Sequence, residues 1–131
     1  MDIMKIFGIG VDLVKNQRIK QSIKKKGFIE KIFSKKEIGY SQKTSNKVNF
    51  FAKRFAAKEA FSKALGTGFR GGISFKKIEI LNDKMGKPYY YNSNNIKRII
   101  YNRFKIKSYD LFLSISDETD YSVAFTVIQK K

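Results

Sequence analysis

Residues Arg54 to Gly68 read RFAAKEAFSKALGTG, which sets one carboxylate and three cations on a stretch otherwise composed for burial. At about 100° per residue, a helix over this stretch and the residues before it gathers Phe50, Phe51, Phe55, Phe61 and Leu65 on one broad side. Ala52, Ala56, Ala60 and Ala64 fall mainly on the other. Glu59 and Lys63, one turn apart, sit at the edge of the alanine side, where nothing bulky blocks a ligand. Arg54 and Lys58 fall among the phenylalanines. Charged side chains are rarely buried without a partner, so a helix this apolar needs something to meet its charges. Two arrangements do so: a ligand site, or a plain Glu59–Lys63 surface pair with Arg54 and Lys58 reaching out to water.

The helix runs from about Val48 to Leu65 and ends at Gly66-Thr67-Gly68, as a glycine-terminated helix should. Upstream, Ile6 to Val14 is a β-rich run that delivers Asp12, with Gly8 and Gly10 permitting close backbone approach or an unusual φ. Lys15 to Gly27 carries sparse apolar positions, Ile19 and Ile23, spaced for a helix with a basic outer face. Ser34-Lys35-Lys36-Glu37 has capping-box spacing, which starts a helix at Lys35 that runs to about Lys43. After a flexible loop over Phe69 to Gly72, Ile73 to Leu81 alternates as a strand, Asn82 to Lys87 turns, and Pro88 to Tyr91 returns, a hairpin with Pro88 at a strand's first position. Asn94 to Lys105 has a helical stripe, and Asp110 to Ser116 and Tyr121 to Gln129 read as closing antiparallel strands. Helices mixed with hairpin-connected strands, without regular βαβ alternation, predict an α+β fold: an antiparallel sheet packed with a long central helix and shorter helices. At 131 residues the chain suits one domain, 1–131.

The residues that are missing narrow the chemistry. A chain with no cysteine and no histidine builds no Ser-His-Asp triad, no thiolate nucleophile and no typical zinc site. Oxygen-ligated metal chemistry suited to Mg²⁺ remains, with lysine and arginine electrostatics. A net charge of +17 favours an anionic partner without choosing among nucleic acid, lipid, polyphosphate or an acidic protein. The opening MDIMKIFGIGVDLV is interrupted by Asp12 too soon for a signal peptide or a membrane span, so the expectation is a cytoplasmic protein.

Four segments in order, GIGVDLVKNQR, FAKRFAAKEAFSKALGTG, NDKMGKP and LSISDETDYSVAFTVI, resemble the holo-acyl-carrier-protein synthases, and they span essentially the whole chain. A GxG alone would be weak, whereas the extended RFAAKEA-x-x-KA-x-GTG with an upstream GIG-x-D is far more specific. The resemblance implies the 4′-phosphopantetheinyl transferase fold and transfer of that group from coenzyme A to a serine of apo-acyl carrier protein, in support of fatty acid biosynthesis. It implies Mg²⁺ held by Asp12 and Glu59, which agrees with the ion's preference for one or two carboxylates plus phosphate oxygens. Arg54 matches the position that meets the nucleotide's 3′-phosphate, and Gly86 to Pro88 match the loop lining the adenine pocket. Lys58, Lys63 and Gly66 complete the expected coenzyme A contacts, with Lys58 either assisting or structural. Lys63 is the candidate for neutralising charge as the P–O bond breaks. The base is one of Asp12, Glu59, Asp117 or a metal-bound water, the last being favoured.

Arg18 matches an arginine that docks the acidic helix of the carrier. Many relatives have histidine where Asp117 stands, so Asp117 is read as a turn or strand-end carboxylate with its role open. Members of the family are typically homotrimers with active sites straddling neighbouring subunits, and the aromatics Tyr89, Tyr90, Tyr91 and Phe125 suit either a subunit interface or a monomer core. The resemblance calls for neither a nucleic acid nor a membrane partner. A basic nucleic-acid-binding module is the competing class, but it leaves Asp12 and Glu59 unexplained.

Overall fold

A computed structural model describes residues 5–67 and 74–131. Strand β1 (Lys5–Lys15) leads into α1 (Asn16–Ser22), α2 (Phe28–Ile32), α3 (Lys35–Ser41) and the long α4 (Lys47–Leu65). A 3-10 turn (Phe75–Lys77) precedes β2 (Ile80–Asn82) and β3 (Pro88–Tyr90), followed by α5 (Asn94–Phe104), β4 (Tyr109–Asp117) and β5 (Tyr121–Lys130). The strands form an antiparallel three-stranded sheet in the order β1-β5-β4 and a separate β2-β3 hairpin, which bears out the α+β expectation. Among the described residues no helix is long and apolar enough to cross a membrane.

Both sides of α4 are buried, each by a different device. On the alanine side, Ala60 and Ala64 lie against β1, and the two strand glycines make that contact possible. A Cβ on Gly8 would stand 1.8 Å from the Ala64 carbonyl oxygen, and one on Gly10 would stand 1.9 Å from that of Ala60. Close approach, not unusual φ, is therefore what Gly8 and Gly10 provide. On the other side the rings interlock: Phe33 lies 4.7 Å from Phe51 and Phe61 lies 5.1 Å from Tyr90, centroid to centroid. Phe61 is fully buried, worth roughly 2–3 kcal/mol by area removed from water. Tyr90 also donates its hydroxyl to the Ala57 carbonyl at 2.6 Å, so of the aromatics predicted for an interface or core, this one belongs to the core.

The ends of the helices follow local chemistry. Ser34 and Glu37 form the predicted capping box, Asn46 caps α4 through the Asn49 N–H, and Gly66 ends α4 in the left-handed region at φ 79°. Three expectations need correction. The helix over Lys15 to Gly27 stops at Ser22, where the N–H groups of Lys24 and Lys25 turn to carbonyls three residues back, and the short α2 was not foreseen. The helix beginning at Lys35 stops at Ser41 rather than Lys43. The alternating run before Leu81 is a strand only from Ile80: the carbonyls of Phe75 and Ile78 accept from the buried Lys58 ammonium at 2.9 and 2.6 Å instead of joining a ladder. Gly68, Ile73 and the predicted loop Phe69 to Gly72 lie outside the described residues.

Candidate active site

Alternation along β1 sends Ile9, Val11 and Leu13 outward and turns Asp12 toward α4. Lys63 reaches across from the last turns of α4 and donates to Asp12 Oδ1 at 3.0 Å and to the Val11 carbonyl at 3.2 Å. The plain Glu59–Lys63 pair is thus replaced by a strand-to-helix pair, because the strand brings a second carboxylate under the same ammonium. Glu59 stands one turn earlier on α4, partly buried. Burial pushes its carboxyl above the usual range and the neighbouring charge of Asp12 pushes it further, while Lys63 and Arg18 act in the opposite direction. Arg18 is exposed on α1, its guanidinium 5.9 Å from the centroid of the Phe55 ring. Asp12, Glu59, Lys63 and Arg18 therefore share one electrostatic environment, with two carboxylates at its centre.

Arg54 and Lys58 do not reach water. Lys58 is fully buried, and its three donors go to Glu37 Oε1 at 2.8 Å and to the two carbonyls that hold the 3-10 turn. With all three N–H bonds used internally, Lys58 takes the structural of its two expected roles and offers no donor to a cofactor. Arg54, only 4% exposed, donates from Nη2 to Asn82 Oδ1 at 3.1 Å and lies over the Phe50 ring at 4.2 Å. Its Nε has no hydrogen-bond partner. Burial lowers its pKa, and Glu37 and Tyr40 oppose that shift; an arginine stays charged regardless.

Arg54, Gly86 and Pro88 line one cleft of about 380 Å³. Lys43 and Lys53 also line it, no carboxylate among the described residues does, and the result is a pocket shaped for an anion. A larger cavity of about 530 Å³ lies beside Asn16 and Asn49, and none of the candidate residues lines it. Arg54 and Lys63 stand nine positions apart on α4, about 180° around the helix axis. Within one chain, then, the anion cleft and the Asp12–Glu59–Lys63 cluster lie on opposite sides of the same helix. Gly66 closes the carboxylate side's end of α4, where Arg103 Nε donates to the Leu65 carbonyl at 2.7 Å. Asp117 is the last residue of β4 and accepts from Asn49 Nδ2 at 2.9 Å, a strand-end carboxylate as read.

Sequence reasoning passed over Glu37 as anything beyond a cap, along with Lys43, Lys53, Asn82 and Arg103. A signal for Glu37 existed. Two cations one turn apart on the aromatic side of a buried helix require a carboxylate from another element, and Glu37 sits on a helix whose neighbours Phe33 and Ile38 are apolar.

The chain is similar to known proteins over nearly its whole length. Residues 8–126 match the 4′-phosphopantetheinyl transferase superfamily. A holo-[acyl-carrier-protein] synthase of Pelagibacter ubique (strain HTCC1062) is 56% identical over 128 residues, covering 98% of this chain and 100% of the relative. Among solved structures, the Neisseria meningitidis holo-[acyl-carrier-protein] synthase superposes with a TM-score of 0.84 at 38% identity, covering 95% of this chain and 98% of that one. A Bacillus anthracis holo-(acyl-carrier-protein) synthase in complex with CoA (3′,5′-ADP) superposes at 0.80 and 34% identity, covering 98% and 100%.

Proposed function

The chain belongs to the holo-[acyl-carrier-protein] synthases of the 4′-phosphopantetheinyl transferase superfamily, and from that premise we propose which residues carry the reaction. The enzyme moves 4′-phosphopantetheine from coenzyme A to a serine hydroxyl of apo-acyl carrier protein, releasing adenosine 3′,5′-bisphosphate, in the cytoplasm and in support of fatty acid biosynthesis. The observation that carries the assignment is the convergence of Asp12, Glu59 and Lys63 where β1 meets α4. The serine oxygen attacks the phosphorus on the pantetheine side as its proton passes to the Asp12–Glu59 carboxylate cluster, and the bond to the adenosine-side phosphate breaks, that phosphate leaving as part of adenosine 3′,5′-bisphosphate. Lys63, exposed and on a flexible stem, swings from Asp12 to the leaving phosphate and meets its growing charge. Arg54, with Gly86 and Pro88, holds the adenosine 3′-phosphate end in the anion cleft.

Mg²⁺ fits the first cluster. Among the described residues there is no group of three or more ligating side chains, but two carboxylates close enough that the charge of Asp12 raises the pKa of Glu59 suit an ion which takes one or two carboxylates and completes its shell from substrate phosphates. Asp12 and Glu59 would hold it, and when bound it neutralises phosphate charge.

Copies of the chain complete the site. Ile9, Val11 and Leu13 on β1 are 56%, 53% and 64% exposed, and Phe125, paired with Val11 in the register, is 44% exposed on the same face. An apolar sheet face of this kind marks an interface. A homotrimer that covers it would bring the anion cleft of one copy toward the carboxylates of the next. Val11→Lys with Phe125→Lys should give a monomer by light scattering and lose transferase activity at assay concentration; an active monomer would refute the shared site.

Intact-mass spectrometry of an apo-acyl carrier protein, incubated with this enzyme, coenzyme A and Mg²⁺ beside an EDTA control, tests the function. A phosphopantetheine mass increment that EDTA abolishes is the expected result. No increment where a known transferase modifies the same carrier would count against it. Arg18 serves the carrier in this reading, so Arg18→Ala should raise the KM for carrier several-fold at low salt and leave that for coenzyme A unchanged, with the difference from wild type shrinking at high salt as screening weakens the attraction. An equal rise in both constants would make Arg18 structural.

A further inference from the structure

We infer that Glu37 is a positioning residue for nucleotide recognition: without touching the ligand, it sets the direction in which Arg54 faces the anion cleft. The inference rests on the reading that Arg54 meets the 3′-phosphate of coenzyme A. Glu37 is fully buried, and both its oxygens are engaged. Oε1 accepts from the Ser34 N–H at 2.9 Å and from the Lys58 ammonium at 2.8 Å, while Oε2 accepts from the Ile80 N–H at 3.2 Å and lies 3.9 Å from Arg54 Nε. One carboxylate therefore ties α3, α4 and β2 together. Those same three elements supply walls of the cleft: Tyr40 from α3, Arg54 from α4 and Asn82 from β2.

The charge balance fits an anion site. One carboxylate faces two buried cations, and since Lys58 lies against it at hydrogen-bond distance, Arg54 is left with the uncompensated positive charge. A buried, half-partnered guanidinium is costly in the free protein unless a ligand anion completes it. Glu37 attracts Nε weakly from behind and Asn82 holds Nη2 from the side, which fixes the plane of the fork relative to the cleft.

The test must separate direction from mere stability. The readout is the ratio of kcat/KM for coenzyme A to that for 3′-dephospho-coenzyme A, which reports contact with the 3′-phosphate alone. Glu37→Gln should lower that ratio about tenfold or more, as expected when a charge-assisted contact loses its geometry, mostly through the KM for coenzyme A. Because Glu37→Gln leaves the Lys58 ammonium with two carbonyls but without its carboxylate, the double variant Glu37→Gln/Lys58→Met is made beside it; replacing a buried pair by neutral groups is often tolerated. A folded variant of either kind that keeps the wild-type ratio overturns the inference. Arg54→Gln separates it from its premise: an unchanged ratio there overturns both, whereas a collapse in Arg54→Gln with none in the Glu37 variants overturns only the role of Glu37.

Discussion

Glu59→Gln lowers Mg²⁺-dependent transfer by about 100-fold or more, the scale of losing one charge-stabilising group at a phosphoryl centre, while the protein stays folded. The amide keeps the volume and removes the charge. The sign of the stability effect follows from the raised pKa of Glu59. The native state binds this proton more tightly than the unfolded chain does. Stability therefore falls as pH rises from the ordinary carboxyl value of 4.5 through the raised native one, and at neutral pH the ionised Glu59 is a cost. Partial exposure keeps that cost small. Glu59→Gln should therefore match or slightly exceed the wild-type Tm at pH 7, with the difference vanishing below the carboxyl range. Mg²⁺ should raise the wild-type Tm by mass action and leave the variant's unchanged. Calorimetry with and without the ion, run beside the turnover assay, reads both. Normal turnover, or an undiminished Mg²⁺ shift, would remove Glu59 from the metal site.

The sequence made the ends of the elements legible wherever a local interaction fixes them. Ser34 with Glu37, Gly66 after Leu65 and Pro88 at a strand start are such cases, and each falls where expected. Long-range contacts were not legible. The strand expected before Leu81 is shortened because an ammonium two elements away captures its carbonyls, and no pattern within the run reports that. Glu37 shows the same limit from the other side: a complete local explanation, the capping box, concealed a second role set by α4 and β2. In the site, the residue types and their spacing pointed to Asp12, Glu59 and Lys63, but helical spacing paired Lys63 with Glu59 and the folded chain pairs it with Asp12. Alternation also fails to say what covers the outer face of the sheet, since Ile9, Val11 and Leu13 of β1 and Phe125 of β5 are apolar yet stand exposed on it.

Gly10→Ala should cost about 3 kcal/mol or more of stability, the upper range for overpacking a core, because the added methyl meets backbone that cannot rotate away. Its Cβ would lie 1.9 Å from the Ala60 carbonyl oxygen and 2.7 Å from the Ala64 nitrogen, both inside the helix ladder. Relief requires β1 to move off α4, and β1 is paired with β5 over nearly its whole length, so the strain passes to the sheet. Function suffers in the same motion. Asp12 is two residues beyond Gly10 on the same face of β1, so a retreating strand draws the carboxylate away from Lys63 and Glu59. Urea titration should show a lower midpoint, and turnover at a temperature where the variant is still folded should fall as well. Gly39→Ala is the matched control: on α3, with nothing within 4 Å of its added Cβ, it should be neutral or stabilising by about 0.5–1 kcal/mol. If Gly10→Ala behaved like Gly39→Ala, the helix-to-strand contact would not be what holds the carboxylates together, and the site would have to be set by the pairing of β1 with β5 alone.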